Sequence, residues 1–331
     1  MNFWQDLKQK NKKGIMVLAP MADVTDPAFR RIIAKYGKPD VTWTEFVSAD
    51  GLFKGGFEHL IKDLAYTDEE RPIVAQFFTS SPEMMQKAAE LAVDLGFDGI
   101  DINMGCPDKS IEKQGAGSAH IKNPKLAQEV IRGAMKGAKK DGKNIPVSVK
   151  TRIGYNKNEL ETWLPAILET NPAVVTIHAR TRKEMSLVPA RWEHVKRAVE
   201  IRNNFLDSNG KKSETLIFGN GDVVDLEDAE KKVVETGCDG VMLGRAIFGN
   251  PWRFNRTEKK DDKTVEEILT ALVEHTKLFE KLLPQKSFAI MKKHFKAYVN
   301  GWEGAKELRL ELMEANSASE VENTINKYLN K

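Results

Sequence analysis

Between Ile15 and Leu243, eight short apolar runs alternate with longer stretches of helical spacing, and this alternation constrains the fold more than any other property of the chain. The runs are residues 15–19, 41–46, 73–77, 99–103, 146–150, 174–178, 215–218 and 240–243. Several are apolar throughout, which suits parallel strands covered on both faces. Asp26-Pro27, Ser81-Pro82 and Asn123-Pro124 each set a capping side chain before a proline that fits the first helical position. Residues 126–135, 159–168 and 225–234 continue the helical pattern. Repeated strand–helix units predict an α/β protein with a (β/α)8 TIM barrel over residues 1–255; an open doubly wound sheet is the alternative. Residues 256–263 (RTEKKDDK) carry no apolar side chain and read as a linker. Helical spacing alone follows, broken at Pro284 and at 301–304. A small C-terminal bundle of three or four helices is expected over 264–331.

With 41% hydrophobic and 30% charged residues, the chain can bury a core and keep a solvated surface, which excludes global disorder. No apolar stretch approaches the roughly 18 residues needed to cross a membrane. The first fourteen residues hold lysines without an apolar segment, so no secretory leader is expected. Two cysteines, Cys106 and Cys238, form neither a disulfide framework nor a zinc set; no metal is expected, and a reducing cytoplasm is the default location. A net charge of +3 permits a nucleic-acid partner without arguing for one. Nothing fixes the oligomeric state; a monomer is the expectation.

The chemistry should lie where the strands end, because all C-terminal strand ends of a barrel converge on one face. Those ends carry Pro20-Met21-Ala22, Gln76, Asn103 through Pro107, Lys150, His178, Asn220-Gly221-Asp222 and Gly244-Arg245. The last two groups follow strands seven and eight, where barrels often bind phosphate through backbone N–H groups. Each alone reads as a turn; together they read as an anion site, with Arg245 adding a charged fork. Lys150 could be an inward cation in an ion pair or could neutralise a flat heteroaromatic cofactor. His178 borders the same cavity. Cys106, between Gly105 and Pro107 in a glycine-rich loop, could close over a substrate as a protonated general acid. Cys238 reads as a small core residue.

These motifs together resemble those of the tRNA-dihydrouridine synthases: LAPMADVTDPAFR from Leu18, AQFF from Ala75, NMGCPDKSIEKQGAGSAHI from Asn103, VKTRIG from Val149, IHARTR from Ile177, GNGDV from Gly219 and VMLGRAIFGNPWRF from Val241. The tail segment AIMKKHFKAYVNG, 289–301, is similar to the family's helical RNA-binding domain. The resemblance implies an FMN-dependent barrel that reduces particular tRNA uridines with electrons from NADPH. It implies that Pro20, Met21 and Ala22 frame the flavin, that Gln76 hydrogen-bonds it and that Lys150 neutralises its N1–C2 carbonyl side. His178, Asn220, Gly221, Asp222, Gly244 and Arg245 would hold the ribityl phosphate, and Cys106 would be the proton donor. Asn103 and Arg180 would contact the base, and Lys292, Lys293 and Lys296, clustered with Lys286 and His294, would meet tRNA phosphates. Asp23 and Thr79 stand where glycine is common, and His120 replaces an aliphatic residue. The rival enzyme is an FMN barrel acting on a free small molecule, as a dihydroorotate dehydrogenase or ene-reductase does; the GCP loop and the tail weigh against it. A non-catalytic RNA-binding module is opposed by Cys106, Lys150 and His178 together.

Overall fold

The computed structural model describes residues 2–330; Met1 and Lys331, the outer ends of the two expected domains, lie outside the described residues. All eight runs are parallel strands: β1 (Ile15–Leu18), β2 (Thr42–Ser48), β3 (Ile73–Phe78), β4 (Gly99–Met104), β5 (Val147–Arg152), β6 (Val174–His178), β7 (Leu216–Asn220) and β8 (Gly240–Leu243). Hydrogen bonding runs β1-β8-β7-β6-β5-β4-β3-β2. The two ends of that order also meet, since Val17 bridges Val41 and the Leu18 N–H donates to the Val41 carbonyl at 3.2 Å. The sheet therefore closes into a barrel, and the doubly wound alternative falls.

Side-chain alternation divides each strand between two cores. Ile15 and Val17 join Trp43, Val74, Val174 and Phe218 in an inner cluster, whereas Met16 and Leu18 belong to the layer beneath the helices. Helix α1 (Phe3–Lys10) closes the inner cluster from the N-terminal end: the Trp4 ring lies 5.5 Å from both Trp43 and Phe218. With that end plugged, the opposite face is the open one.

The expected caps form. Asp26, Ser81 and Asn123 accept from the backbone N–H three residues on, opening α2 (Pro27–Tyr36), α3 (Pro82–Asp94) and α4 (Pro124–Gly137). Helices α5 (Leu160–Leu168), α6 (Glu193–Asn204) and α7 (Leu226–Thr236) follow the next three strands. After β8 the first long helix is α8 (Val265–Leu282), opened by a capping box between Thr264 and Glu267. It lies against α2, with His275 stacked on Phe29 at 4.7 Å. That is where a helix following β8 completes the outer ring. Helices α9 (Met291–Tyr298), α10 (Ala305–Glu314) and α11 (Ala318–Leu329) build on α8, so the tail holds four α-helices among the described residues.

Tail and barrel share one apolar cluster, in which Leu272, Phe279 and Phe295 join Phe29 and Ile32. The segment expected as a linker is held as well: the Lys260 ammonium reaches the Ala297 and Tyr298 carbonyls at 3.4 and 3.3 Å. Gly249 marks the tightest crossing. A side chain there would place its Cβ 1.9 Å from the Ala297 carbonyl oxygen, and the backbone sits at φ +62°.

Candidate active site

On the open face, residues of the inward set line a cleft of about 240 Å³. Pro20 and Met21 come from the loop after β1, Lys150 from β5, and His178 and Arg180 from the end of β6. Asn220, Gly221 and Asp222 follow from β7, and Gly244 and Arg245 from the end of β8. Strand register explains the convergence: Arg152 pairs with His178, His178 with Asn220, and Asn220 with Met242. Gly221 sits at φ +126°, and a Cβ there would stand 2.8 Å from Ala190 and 3.2 Å from the His178 ring. Only glycine leaves this wall open. Ser186, which the sequence did not single out, lines the cleft as well. Ala22 is exposed and lies outside the lining.

A chain of hydrogen bonds supports the Cys106 loop from inside the barrel. The Asp101 carboxylate accepts from Ser148 and, at 2.6 Å, from the Gln76 amide. Gln76 in turn accepts from Asn103 at 3.1 Å, and Asn103 Oδ1 accepts from the Gly105 and Cys106 N–H groups at 3.1 and 2.9 Å. Gln76 is thus completely buried, with its amide on Asp101 and its carbonyl on Asn103, and Asn103 fixes the loop backbone. Arg152 braces the loop from the other side, donating to the carbonyls of Gly105 at 2.8 Å, Thr181 at 3.1 Å and Met185 at 3.0 Å.

Positive charge accumulates here. Burial, reinforced by Arg152, lowers the Lys150 ammonium to about 8, and burial lowers Arg152 to about 10. Lys150 has no hydrogen bond or ion pair among the described residues. Burial and the cations Arg152, Lys150, Arg180 and Arg245 hold His178 well below the usual imidazole range, so its ring is neutral. Arg180 lies 3.0 Å from His178 Nε2 and can only donate; Nε2 therefore accepts, and the ring proton sits on Nδ1. Asp222 is the counter-charge: its carboxylate binds Arg180, Arg245 at 2.7 Å and the Ala190 N–H at 2.8 Å. Burial raises the half-buried Cys106 thiol above its ordinary value, so it is protonated at neutral pH.

Sequence comparison decides the family. The profile of the family described as dihydrouridine synthase matches residues 17–331. The chain belongs to the dihydrouridine synthase family. It is 36% identical to a probable tRNA-dihydrouridine synthase of Staphylococcus epidermidis, over 99% of this chain and 96% of that one. A Bacillus subtilis relative, probable tRNA-dihydrouridine synthase 2, is 37% identical over 97% of this chain and 94% of its own. The protein is accordingly an oxidoreductase of this family. Among solved structures, morphinone reductase has a TM-score of 0.51 at 12% identity, covering 73% of this chain and 84% of that one. That likeness shows the barrel fold alone.

The tail residues divide. Lys292 is half-buried and Lys293 and Lys296 are exposed, and none forms an ion pair among the described residues. His294 is fully buried against Phe29 and His275, and burial lowers it to about 3. It is a core residue and not part of a basic surface. Lys286 is also committed: its ammonium meets Glu45 of β2 at 3.0 Å, Asp63 of a short helical turn between β2 and β3 at 3.1 Å, and Asp23 of the turn after β1 at 3.6 Å. Asp23 adopts φ +53°, the backbone that glycine takes easily, and its N–H donates to Glu45 at 2.6 Å. Thr79 bonds Asp50, and His120 is buried against the Gly117 carbonyl. Cys238 is buried with its thiol on the Gly240 carbonyl, as its core reading expects. No helix among the described residues is long and apolar enough to cross a membrane.

Proposed function

We propose that this protein reduces particular uridines of tRNA to 5,6-dihydrouridine, using FMN as cofactor and NADPH as electron donor, in the cytoplasm. One observation carries the reading: Lys150 lines the cleft and pairs in register with Asn103, whose side chain holds the Cys106 N–H at 2.9 Å, so a cation suited to a cofactor and a thiol suited to proton donation are neighbours.

The residues present fit FMN. Gly221 leaves a wall that any side chain would fill, and Arg245, exposed at the rim, supplies a fork for a phosphate. Neutral His178, Asn220 and Gly244 stand beside it. Lys150, a cation without an ion pair, suits the electron-rich edge of a flavin, while Pro20 and Met21 offer a flat apolar wall. Bound and reduced, FMN supplies the hydride that adds to C6 of the uracil.

The protein's own groups do the rest. A target base stacked or paired in tRNA must be turned out to reach the cleft. Asn103 and Arg152 hold the loop so that the Cys106 Sγ–H faces the incoming base, and the thiol gives its proton to C5. Hydride at C6 and proton at C5 saturate the 5,6 bond and leave the thiolate to be reprotonated from solvent. The exposed Lys293 and Lys296, with Lys292, face the RNA backbone.

Incubating the purified protein with FMN, NADPH and unmodified tRNA should yield dihydrouridine. Reduction of a free enone or pyrimidine at comparable rate, with tRNA untouched, would instead favour the small-molecule oxidoreductase. For the cradle, Arg245→Ala is expected to weaken flavin binding about tenfold to hundredfold, as loss of a charge-assisted hydrogen bond does. Flavin fluorescence titration measures this, and unchanged affinity refutes the phosphate assignment. For the tail, replacing Lys292, Lys293 and Lys296 with alanine should weaken tRNA binding and flatten its salt dependence, since fewer counterions are released. NADPH oxidation should persist in that variant. An unaltered salt slope would return these lysines to an ordinary solvated face.

A further inference from the structure

The loop that carries Cys106 is tied down by residues to which no role has been given. Glu112 lies on a short helix, Lys109–Lys113, six positions beyond the cysteine. Its Oε1 accepts from Arg182 Nε at 2.8 Å and from the Ser118 hydroxyl at 2.7 Å, and its Oε2 binds a second nitrogen of Arg182. The Ser118 N–H donates to the Cys106 carbonyl at 3.0 Å. An unbroken path thus runs from Arg182 through Glu112 and Ser118 to the backbone of Cys106. Arg182 is itself fixed, because its N–H donates to the Gly154 carbonyl at 2.9 Å and its guanidinium lies 5.2 Å from the Tyr155 ring centroid. Loops following β4, β5 and β6 meet at this point.

We propose that Glu112 and Arg182 form a latch that holds the Cys106 thiol at the cleft, making both positioning residues for proton transfer. The inference rests on Cys106 as the proton donor. Gly115 and Gly117, at φ +76° and +60°, give this loop backbone freedom that must be cancelled before a thiol can be aimed. A bidentate Arg–carboxylate pair cancels it better than a single contact, and here both partners are largely shielded, at 23% and 9% side-chain exposure. Displacing a reacting group by about 1 Å can cost about 10²-fold in rate. The cost should fall on the proton-transfer step, because neither residue lines the cofactor cleft.

The test uses full-length, FMN-loaded enzyme reduced beforehand, with tRNA in single turnover. Glu112→Ala and Arg182→Gln should each lower the rate of dihydrouridine formation about 10- to 100-fold. Flavin content, reduction by NADPH and tRNA affinity should stay at wild-type values. Iodoacetamide should alkylate Cys106 faster in both variants, read by mass of the Cys106 peptide, a signature that lost stability elsewhere would not give. Exchanging the partners, Glu112→Arg with Arg182→Glu, should restore most of the rate. Breaking the exposed pair of Arg197 with Glu161→Ala is the control and should change nothing. Cys106→Ala is run alongside. If it alone is disabled while both latch variants turn over and alkylate as wild type, the latch is wrong and the acid assignment stands. If Cys106→Ala turns over normally, the acid assignment itself falls.

Discussion

Replacing Cys106 with alanine is expected to lower dihydrouridine formation by about 10²–10⁴-fold, the range that general acid assistance supplies. FMN binding, reduction by NADPH and tRNA binding should survive, because Cys106 sits on a loop beside the cleft and is not among the residues that line it. Burial raises the Cys106 pKa, so the acid form persists through neutral pH and is lost only as alkaline pH passes that raised value. Wild-type single-turnover rate should therefore fall on the alkaline side in two stages: the loss near 8, where Lys150 gives up its charge, should remain in Cys106→Ala, and the later loss from the thiol should vanish. Cys238→Ala is the internal control, since its thiol is buried against the Gly240 carbonyl and away from the open face. Near-normal turnover without Cys106 would pass the acid role to solvent or another side chain.

Glu70→Gln is expected to destabilise the protein by about 3–5 kcal/mol, the cost of leaving a buried charge without its partner. Glu70 and Arg30 are both completely buried, 2.7 Å apart. The other guanidinium nitrogens of Arg30 bind the Thr25 carbonyl at 2.8 Å and the Ala65 carbonyl at 2.5 Å. The pair therefore joins α2 to the β2–β3 connection. Thr25 Oγ1 also accepts from the Met21 N–H at 2.9 Å, so the Met21 side of the cleft depends on the same network. Denaturant unfolding of the flavin-loaded protein checks the prediction, and flavin release should accompany the loss. A change below about 1 kcal/mol, the level of an exposed ion pair, would show that the charge is relieved by other means.

The barrel was legible because its signals are local. Proline-marked caps and apolar runs fall within two residues of the observed strand and helix starts, as Asp26-Pro27 and residues 174–178 show. The cleft residues were legible because strand ends carry them in order. Of the polar chain that supports Cys106, Gln76 and Asn103 were legible, but Asp101 and Ser148 were missed although a period of two contains them: Asp101 precedes Asn103, and Ser148 precedes Lys150, on the same face of their strands. Arg152 follows Lys150 by the same step. His294 was grouped with surface lysines, yet Met291, His294, Phe295 and Tyr298 follow the helical spacing of a buried stripe. Lys286 was beyond reach, since its partners Asp23, Glu45 and Asp63 are more than two hundred residues away in the chain.

The crossing at Gly249 bears on how such proteins can be recombined. With tail and barrel contacting at a glycine that admits no side chain, and with Phe29 packed on His275 and His294, the tail is not an interchangeable cassette. A chimera joined in the charged segment 256–263 would pair a foreign helix with the outer face of α2 and leave Asp23, Glu45 and Asp63 facing whatever replaced Lys286. A working graft would have to begin upstream of Gly249 and carry along the matching surface of α2, so tail and barrel surface are inherited together.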